Sequence, residues 1–246
     1  MTLEIEMFPA LQDNYGFLIT DAASGRTAMI DAPEPAAMLR VLDGRRLDFI
    51  LNTHWHPDHA GGNALIKART GCVIYGPDEV RRIAPLDHEI KPGDAFRLGG
   101  TDLQVMDLGG HTLGHIGYYS AADGAAFVGD TLFPLGCGRL FEGTPRQMWA
   151  SLARIAALPP ETALYSAHEY TLASLKFAES LGGDEALRAR GERVRRLRAE
   201  GLATVPATVA EELATNPFLV RPLREQGVEA QAAKFGELRA AKDGFR

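Results

Sequence analysis

The sequence predicts an α+β protein, with a layered αββα domain over residues 1–170 and an all-α domain over residues 171–246. Three observations predict it. Short β-patterned runs, separated by turns and short helices, fill the chain up to Ser166 and then stop. From Thr171 every patterned segment has helical spacing, with Gly and Pro only between segments. Strands followed by a run of helices segregate into two such regions.

In chain order, LEIEMF (3–8), GFLIT (16–20) and TAMID (27–31) read as consecutive strands separated by Asn, Gly and Ser. Residues 36–42 have helical spacing, and residues 47–51 form a short apolar strand running into Asn52, Thr53 and His54. A helix over 64–69, a strand over 72–75 and a hairpin of 96–98 with 103–108 across Gly99-Gly100 follow. Residues 116–120 and 125–128 repeat the strand–turn–strand pattern, a helix over 146–158 ends before Pro159-Pro160, and 163–166 is the last strand expected. TLASLKFAESL, DEALRARGERVRRLRAE, VAEELATN and EAQAAKFGELRAAK are the expected helices of the second domain. No repeat of 20–50 residues is visible.

Composition excludes several classes. A chain of 246 residues with 46% hydrophobic and 24% charged residues can bury an ordinary core. No run approaches the roughly 18 apolar residues of a membrane span, and MTLEIEMF lacks the basic region of a secretory signal. Two cysteines, Cys72 and Cys137, make no disulfide framework, so a cytoplasmic location is expected. A net charge of −6 argues against a nucleic-acid surface. Residues 171–246 hold 13 Lys and Arg against 11 Asp and Glu, leaving 13 against 21 for the first 170. The slightly basic tail suits an anionic ligand, and a solvated helix surface explains it equally well.

THWHPDHAGG (53–62) carries the chemistry, because three of the seven histidines in the chain fall within six positions of it. His54 and His56 are two apart, so in extended backbone both imidazoles project to one side. Pro57 restricts the turn, and Asp58 and His59 diverge toward a neighbouring point. Gly61 and Gly62 allow tight passage into the following helix. Two nitrogens for one ion and an oxygen–nitrogen pair for another is the ligand pattern of a dinuclear site. A solvated polar loop is the competing reading. His111 in GGHTLGH, Asp130 in FVGDTLF and His168 in YSAHEY each follow an apolar run, where layered folds place their sites.

Together, THxHxDH, GHTxGH, GDTLF, GCGRLFEGT and HEYT resemble the motif series of the glyoxalase II (hydroxyacylglutathione hydrolase) family of the metallo-β-lactamase superfamily. The resemblance runs from Asp13-Asn14-Tyr15 to the terminal KDGF. It implies a four-layer αββα sandwich with a helical glutathione-binding domain behind it. It assigns His54, His56 and His111 to one metal ion and Asp58, His59 and His168 to a second, with Asp130 bridging both. Two divalent ions per chain are expected, zinc first, with iron and manganese compatible with the same ligands. Asp58 and Asp130 are the expected catalytic carboxylates, around a metal-bridging hydroxide. Asp31 supports the ligand loop by the same resemblance, against a plain turn-forming Asp before Pro33. His115 matches no ligand and is read as structural or supporting. His88 lies in a polar loop with no role, and Cys137 stands outside the full ligand set.

A dinuclear site fits many hydrolyses, so the substrate has to be read elsewhere. The resemblance assigns Arg139, Tyr170, Arg239 and Lys242 to glutathione, with Phe141 packing beside it where relatives carry Tyr. Arg239 and Lys242 are three apart and share a helical face, and glutathione carries two carboxylates. Solvated surface charges are the alternative for each. The implied reaction is hydrolysis of S-D-lactoylglutathione to glutathione and D-lactate in methylglyoxal removal. The implied partner is this small-molecule thioester, with neither nucleic acid nor membrane, and a monomer is expected. A mononuclear iron persulfide dioxygenase, a lactamase- or lactonase-type hydrolase and a non-catalytic metal module are the competing readings.

Overall fold

Strand β1 (Leu3–Ala10) pairs antiparallel with β2 (Asn14–Asp21), and β2 with β3 (Thr27–Ile30). Helix α1 (Pro35–Leu42) then returns the chain so that β4 (Phe49–Leu51) lies parallel to β3, since parallel neighbours need a crossover. After α2 (Pro57–Ala60) and α3 (Asn63–Thr70), β5 (Val73–Gly76) and β6 (His88–Glu89) extend the sheet in parallel. The result is a six-stranded sheet in sequence order. The computed structural model describes residues 2–245, and these divide into two units: 2–107 with 114–129, and 108–113 with 130–245.

The first unit holds that sheet and a meander of β7 (Ala95–Leu98), β8 (Thr101–Asp107), β9 (Ile116–Ser120) and β10 (Ala125–Gly129). Side-chain alternation decides what each face covers. Phe8, Leu18, Met29, Ile50 and Ile74 bury against Met38 and Leu42 of α1 and Ile66 of α3. Phe17, one residue from Leu18, points the other way and meets Phe127 of β10 at 5.5 Å; Phe49 likewise meets Phe96 of β7 at 5.1 Å. Both faces of the sheet are therefore covered, which gives its inner strands their continuous apolar runs. His88 lies in the edge strand β6, stacked on Tyr75 at 4.8 Å, rather than in a loop.

The second unit begins with the hairpin β11 (Leu132–Phe133) to β12 (Gly136–Cys137). Helix α4 (Pro145–Ala156) starts on a reciprocal Thr144–Gln147 capping box, followed by β13 (Ala163–Ser166). Then come α5 (Thr171–Ser180), α6 (Glu185–Ala199), β14 (Ala207–Thr208), α7 (Val209–Thr215), α8 (Pro217–Val220) and α9 (Val228–Asp243). Leu135, Leu175, Ala178, Leu187 and Val194 share one core, while Phe218 joins Phe177 and Phe235 in a second aromatic one. The expectation of no strand beyond Ser166 fails at β14, which pairs antiparallel with β13. Two residues are too few to show alternation, and Thr208 also caps α7. Among the described residues no helix is long and apolar enough to cross a membrane.

Asp21 closes the end of β2 onto the turn between β7 and β8. Its carboxylate accepts from the Ser24 hydroxyl (2.5 Å), the Thr101 hydroxyl (2.8 Å), the Ser24 amide (3.0 Å) and the Gly100 amide (3.2 Å). These bonds, led by the Ser24 and Thr101 hydroxyls, hold its pKa at about 2 against an ordinary 3.8. A depressed carboxylate pKa adds stability that is present above pH 3.8 and is lost as pH falls through about 2. Asp21→Asn should therefore narrow its stability gap from wild type as denaturation curves are moved from pH 5 toward about pH 2. A gap that stays constant over that range would remove Asp21 from the acid response.

Candidate metal centre

The ligand loop leaves β4 with a fixed set of imidazole tautomers. Asp31, just after β3, stands at φ 60°, a left-handed conformation that Asp tolerates better than most residues. There its carboxylate accepts from the Thr53 amide at 2.7 Å and the Thr53 hydroxyl at 2.8 Å, and it lies 2.8 Å from His59 Nδ1. The Thr53 hydroxyl, having donated to Asp31, accepts from His54 Nδ1 at 3.0 Å. Both imidazoles therefore donate through Nδ1, which makes Nε2 the nitrogen that would ligate a metal ion. Asn14, buried at the start of β2, donates to Asp58 Oδ2 at 3.1 Å. His115 is fully buried and stacks on His54 with centroids 4.6 Å apart.

In the second unit the same device recurs. His111 Nδ1 donates to the Arg139 carbonyl at 2.9 Å, leaving Nε2 at 3.3 Å from Asp130 Oδ2. His168 Nε2 lies 3.4 Å from the other oxygen, Asp130 Oδ1, so one carboxylate faces two imidazoles. Tyr170 stacks on the His168 ring at 4.6 Å with 5° between planes, and Phe133 meets that ring edge-on. Gly138 crosses behind Asp130 so closely that a Cβ would stand 1.9 Å from the Asp130 carbonyl oxygen and 3.2 Å from His111 Nδ1. Only glycine passes there.

Ligand-type side chains gather within each unit: His54, His56, Asp58 and His59 in the first, and His111 and His168 about Asp130 in the second. Within them His54 Nε2 and His56 Nδ1 are 3.0 Å apart, and His59 Nε2 and Asp58 Oδ2 are 3.6 Å apart. Bonds of about 2.1 Å in tetrahedral array separate their ligands by roughly 3.4 Å, so this donor set fits divalent ions. Each histidine and aspartate expected as a ligand falls within one of these groups.

The residues expected on the substrate side lie in the second unit but differ in exposure. Phe141 is 62% exposed and meets His111 edge-on at 5.2 Å; Arg139 is exposed. Lys242 is half-buried, donates to the Ala173 carbonyl at 3.0 Å and lies over the Phe177 and Phe245 rings. Burial first, then the Arg239 and Arg139 charges, hold its pKa below the ordinary lysine value, so three cations share one neighbourhood. Arg239 is 5% exposed, and its guanidinium is committed to the Cys137 carbonyl (2.9 Å) and Asp243 (2.9 Å) over the Phe218 ring. Cys137 is buried, its thiol pushed up to about 11.

Comparison with known proteins matches the chain to two family models end to end. Residues 12–168 match the metallo-β-lactamase superfamily, and residues 169–245 match the hydroxyacylglutathione hydrolase C-terminus. The hydroxyacylglutathione hydrolase of Methylococcus capsulatus is 49% identical, covering 99% of each chain. That of Hyphomonas neptunium is 48% identical over 99% of this chain and 98% of its own. The chain belongs to the hydroxyacylglutathione hydrolase family of the metallo-β-lactamase superfamily. The fold agrees: the crystal structure of ETHE1 from Myxococcus xanthus has a TM-score of 0.69 at 24% identity, covering 97% of this chain and 96% of that one. A structure of TTHA1623 in a di-iron-bound form has a TM-score of 0.63 at 26% identity, covering 88% of this chain and 100% of that one.

The superfamily fold and the His/Asp groups indicate a dinuclear divalent metal site. Asn14, Thr53 and the backbone carbonyl of Arg139 are supports that sequence reasoning did not single out. Asn14 had a signal, since it lies in the Asp13-Asn14-Tyr15 match, but the carbonyl had none. Protein purified without chelator should carry close to two ions per chain by elemental analysis. Asp31→Asn keeps the left-handed residue but removes the carboxylate charge facing His59. Such supporting partners are worth about 10- to 100-fold in metal affinity, so competition with a chelator should show a loss of that size. Wild-type affinity in that variant would mean that Asp31 merely shapes the turn.

Proposed function

We propose that this protein hydrolyses S-(2-hydroxyacyl)glutathione thioesters, with S-D-lactoylglutathione the substrate that its relatives' name and its cation cluster favour. One observation carries the substrate class. The segment that matches the hydroxyacylglutathione hydrolase C-terminus contributes Arg239 and Lys242, and their charges converge with that of Arg139. Glutathione presents carboxylates suited to such a cluster. The helical region 171–246 is accordingly the glutathione-binding domain and 1–170 the catalytic one. A reading as an iron dioxygenase loses ground, because the C-terminal match is to the hydrolase family.

His54, His56 and His111 would hold one ion, Asp58, His59 and His168 the other, and Asp130 both. Zinc suits this nitrogen and oxygen set, and iron or manganese would also fit it. Bound there, divalent ions would activate water near neutral pH and would polarise the thioester carbonyl. Asp58, held by Asn14 and with its side chain 36% exposed, is placed to take the proton as water adds to that carbonyl. The C–S bond then breaks and the thiolate departs. A thiol of pKa about 8.5 leaves without obligatory protonation, so the site needs no dedicated acid. Lys242 and Arg139 hold the glutathione carboxylates, with Arg239 adding its field from behind. Tyr170 and Phe141, both exposed, flank the ligand. Two unpaired cysteines favour a reducing cytoplasm.

The direct test compares turnover of S-D-lactoylglutathione with that of its coenzyme A analogue, where selectivity for glutathione is expected. A hydrogen bond to a charged group is worth about 1.5–3 kcal/mol, so Lys242→Ala should raise KM roughly 10- to 150-fold. Its kcat should stay within a few-fold, the pattern of lost uniform binding, and metal content should not change. A small uncharged thioester is the control. Equal damage to that substrate would mean that Lys242 supports the fold or the chemistry.

A further inference from the structure

Between Asp130 and Arg139 the chain makes the β11–β12 hairpin, whose turn includes Leu135 at φ 62°, a left-handed conformation unfavourable for leucine. Such a conformation persists only where its surroundings impose it. Here they are three buried polar side chains from the helical segment. Glu212 Oε2 accepts from the Leu135 amide at 3.0 Å. Asn216 Nδ2 donates to the Gly136 carbonyl at 3.0 Å, the Phe133 carbonyl at 3.3 Å and Glu212 Oε2 at 2.8 Å. Arg190 pairs with the second Glu212 oxygen and donates to the Thr215 hydroxyl at 2.5 Å and the Glu211 carbonyl at 3.0 Å. Glu212 is 1% exposed, Asn216 0% and Arg190 6%.

A buried ion pair gains little stability over apolar residues of the same shape, so its presence asks for another reason. Apolar side chains could not fix an amide and two carbonyls of a strained turn. The far end of the hairpin has no slack. The Gly138 amide donates to the Thr131 carbonyl at 3.1 Å, and Gly138 abuts the Asp130 carbonyl. Beyond it, the Arg139 carbonyl accepts from His111. A displacement of the turn therefore passes straight to Arg139 and Phe141.

We propose that Arg190, Glu212 and Asn216 are positioning residues: a buried charged template in the helical segment that sets the hairpin, and through it the substrate loop 138–141. The inference rests on the reading of Arg139 as a glutathione contact. Asn216→Ser is the informative variant. Serine still caps α8, where Asn216 Oδ1 accepts from the Phe218 amide, but it is too short to reach both hairpin carbonyls. Glu212→Gln is the second variant. It keeps the shape and an acceptor for Leu135 while removing the charge opposite Arg190.

Three measurements are made on each variant and on wild type: KM and kcat for S-D-lactoylglutathione, the same constants for a small uncharged thioester, and the Kd of glutathione for the metal-loaded protein by calorimetry. Loss of about one net hydrogen bond's worth of positioning should raise the glutathione-thioester KM and the glutathione Kd about tenfold. The small-thioester constants should stay within about threefold, and two ions should remain bound. Unchanged KM and Kd beside a lowered Tm would overturn the proposal, leaving only a stabilising network. Equal damage to both substrates would also overturn it. A wild type that binds glutathione but cleaves none of its thioesters would instead overturn the proposed activity.

Discussion

The Asp31 carboxylate is the constraint on which the metal centre of the first unit turns. Metal ligation requires neutral imidazoles with a particular nitrogen protonated, and free histidine has no strong preference between the two. Asp31 settles the choice for His59 directly and for His54 through the Thr53 hydroxyl. The backbone must bring that carboxylate under the ligand loop, and it does so with a left-handed residue immediately after β3. The parallel pairing of β3 with β4 then becomes functional. It places Asp31 beside the Thr53 amide, which the same carboxylate also receives. A fold with β3 and β4 apart would have to fix each histidine separately.

The second unit solves the same problem with backbone. There the Arg139 carbonyl takes the His111 Nδ1 proton. This ties ligand geometry to the substrate loop, because the residue that orients His111 through its carbonyl carries a cationic side chain outward. Asp130 likewise faces both His111 and His168. Aromatic rings complete the support, with Tyr170 stacked on His168 and Phe141 against His111. The ligands and the surfaces proposed for glutathione are thus adjacent parts of the same segments.

The chemistry was more legible in the sequence than the packing that holds it. His54, His56, Asp58 and His59 announce themselves because ligand-type residues at that spacing have few other uses. His111, Asp130 and His168 follow apolar runs, so the strand pattern located them. The longer strands and helices came through because their periodicity lasts several residues. β6, β11, β12 and β14 have two residues each and no periodicity to read. Nothing in a sequence marks the Arg139 carbonyl as a hydrogen-bond acceptor, since every residue has one. Glu212 and Arg190 look like solvated helix charges in EELATN and RARGER, and only their burial against Leu135 tells them apart from Arg188 or Glu192, which are exposed. Arg239 was misleading in the opposite sense: its helical spacing from Lys242 suggested two equivalent cations, whereas it is buried and bonded to Cys137 and Asp243.

That difference between the two cations bears on how the substrate side works. Arg239 is a buried guanidinium beneath the surface, paired with Asp243 at 2.9 Å. Lys242 lies nearer the solvent and is the member whose charge the neighbourhood disfavours, through burial and through Arg239 and Arg139. Asp243, the carbonyl of Ala173 and two aromatic faces act the other way and favour the Lys242 charge. Under the proposed function, an anion of matching shape would relieve what disfavours the Lys242 charge. A neutral thioester relieves none of it. Under that proposal, selection for an anionic carrier needs no contact at the reacting carbonyl.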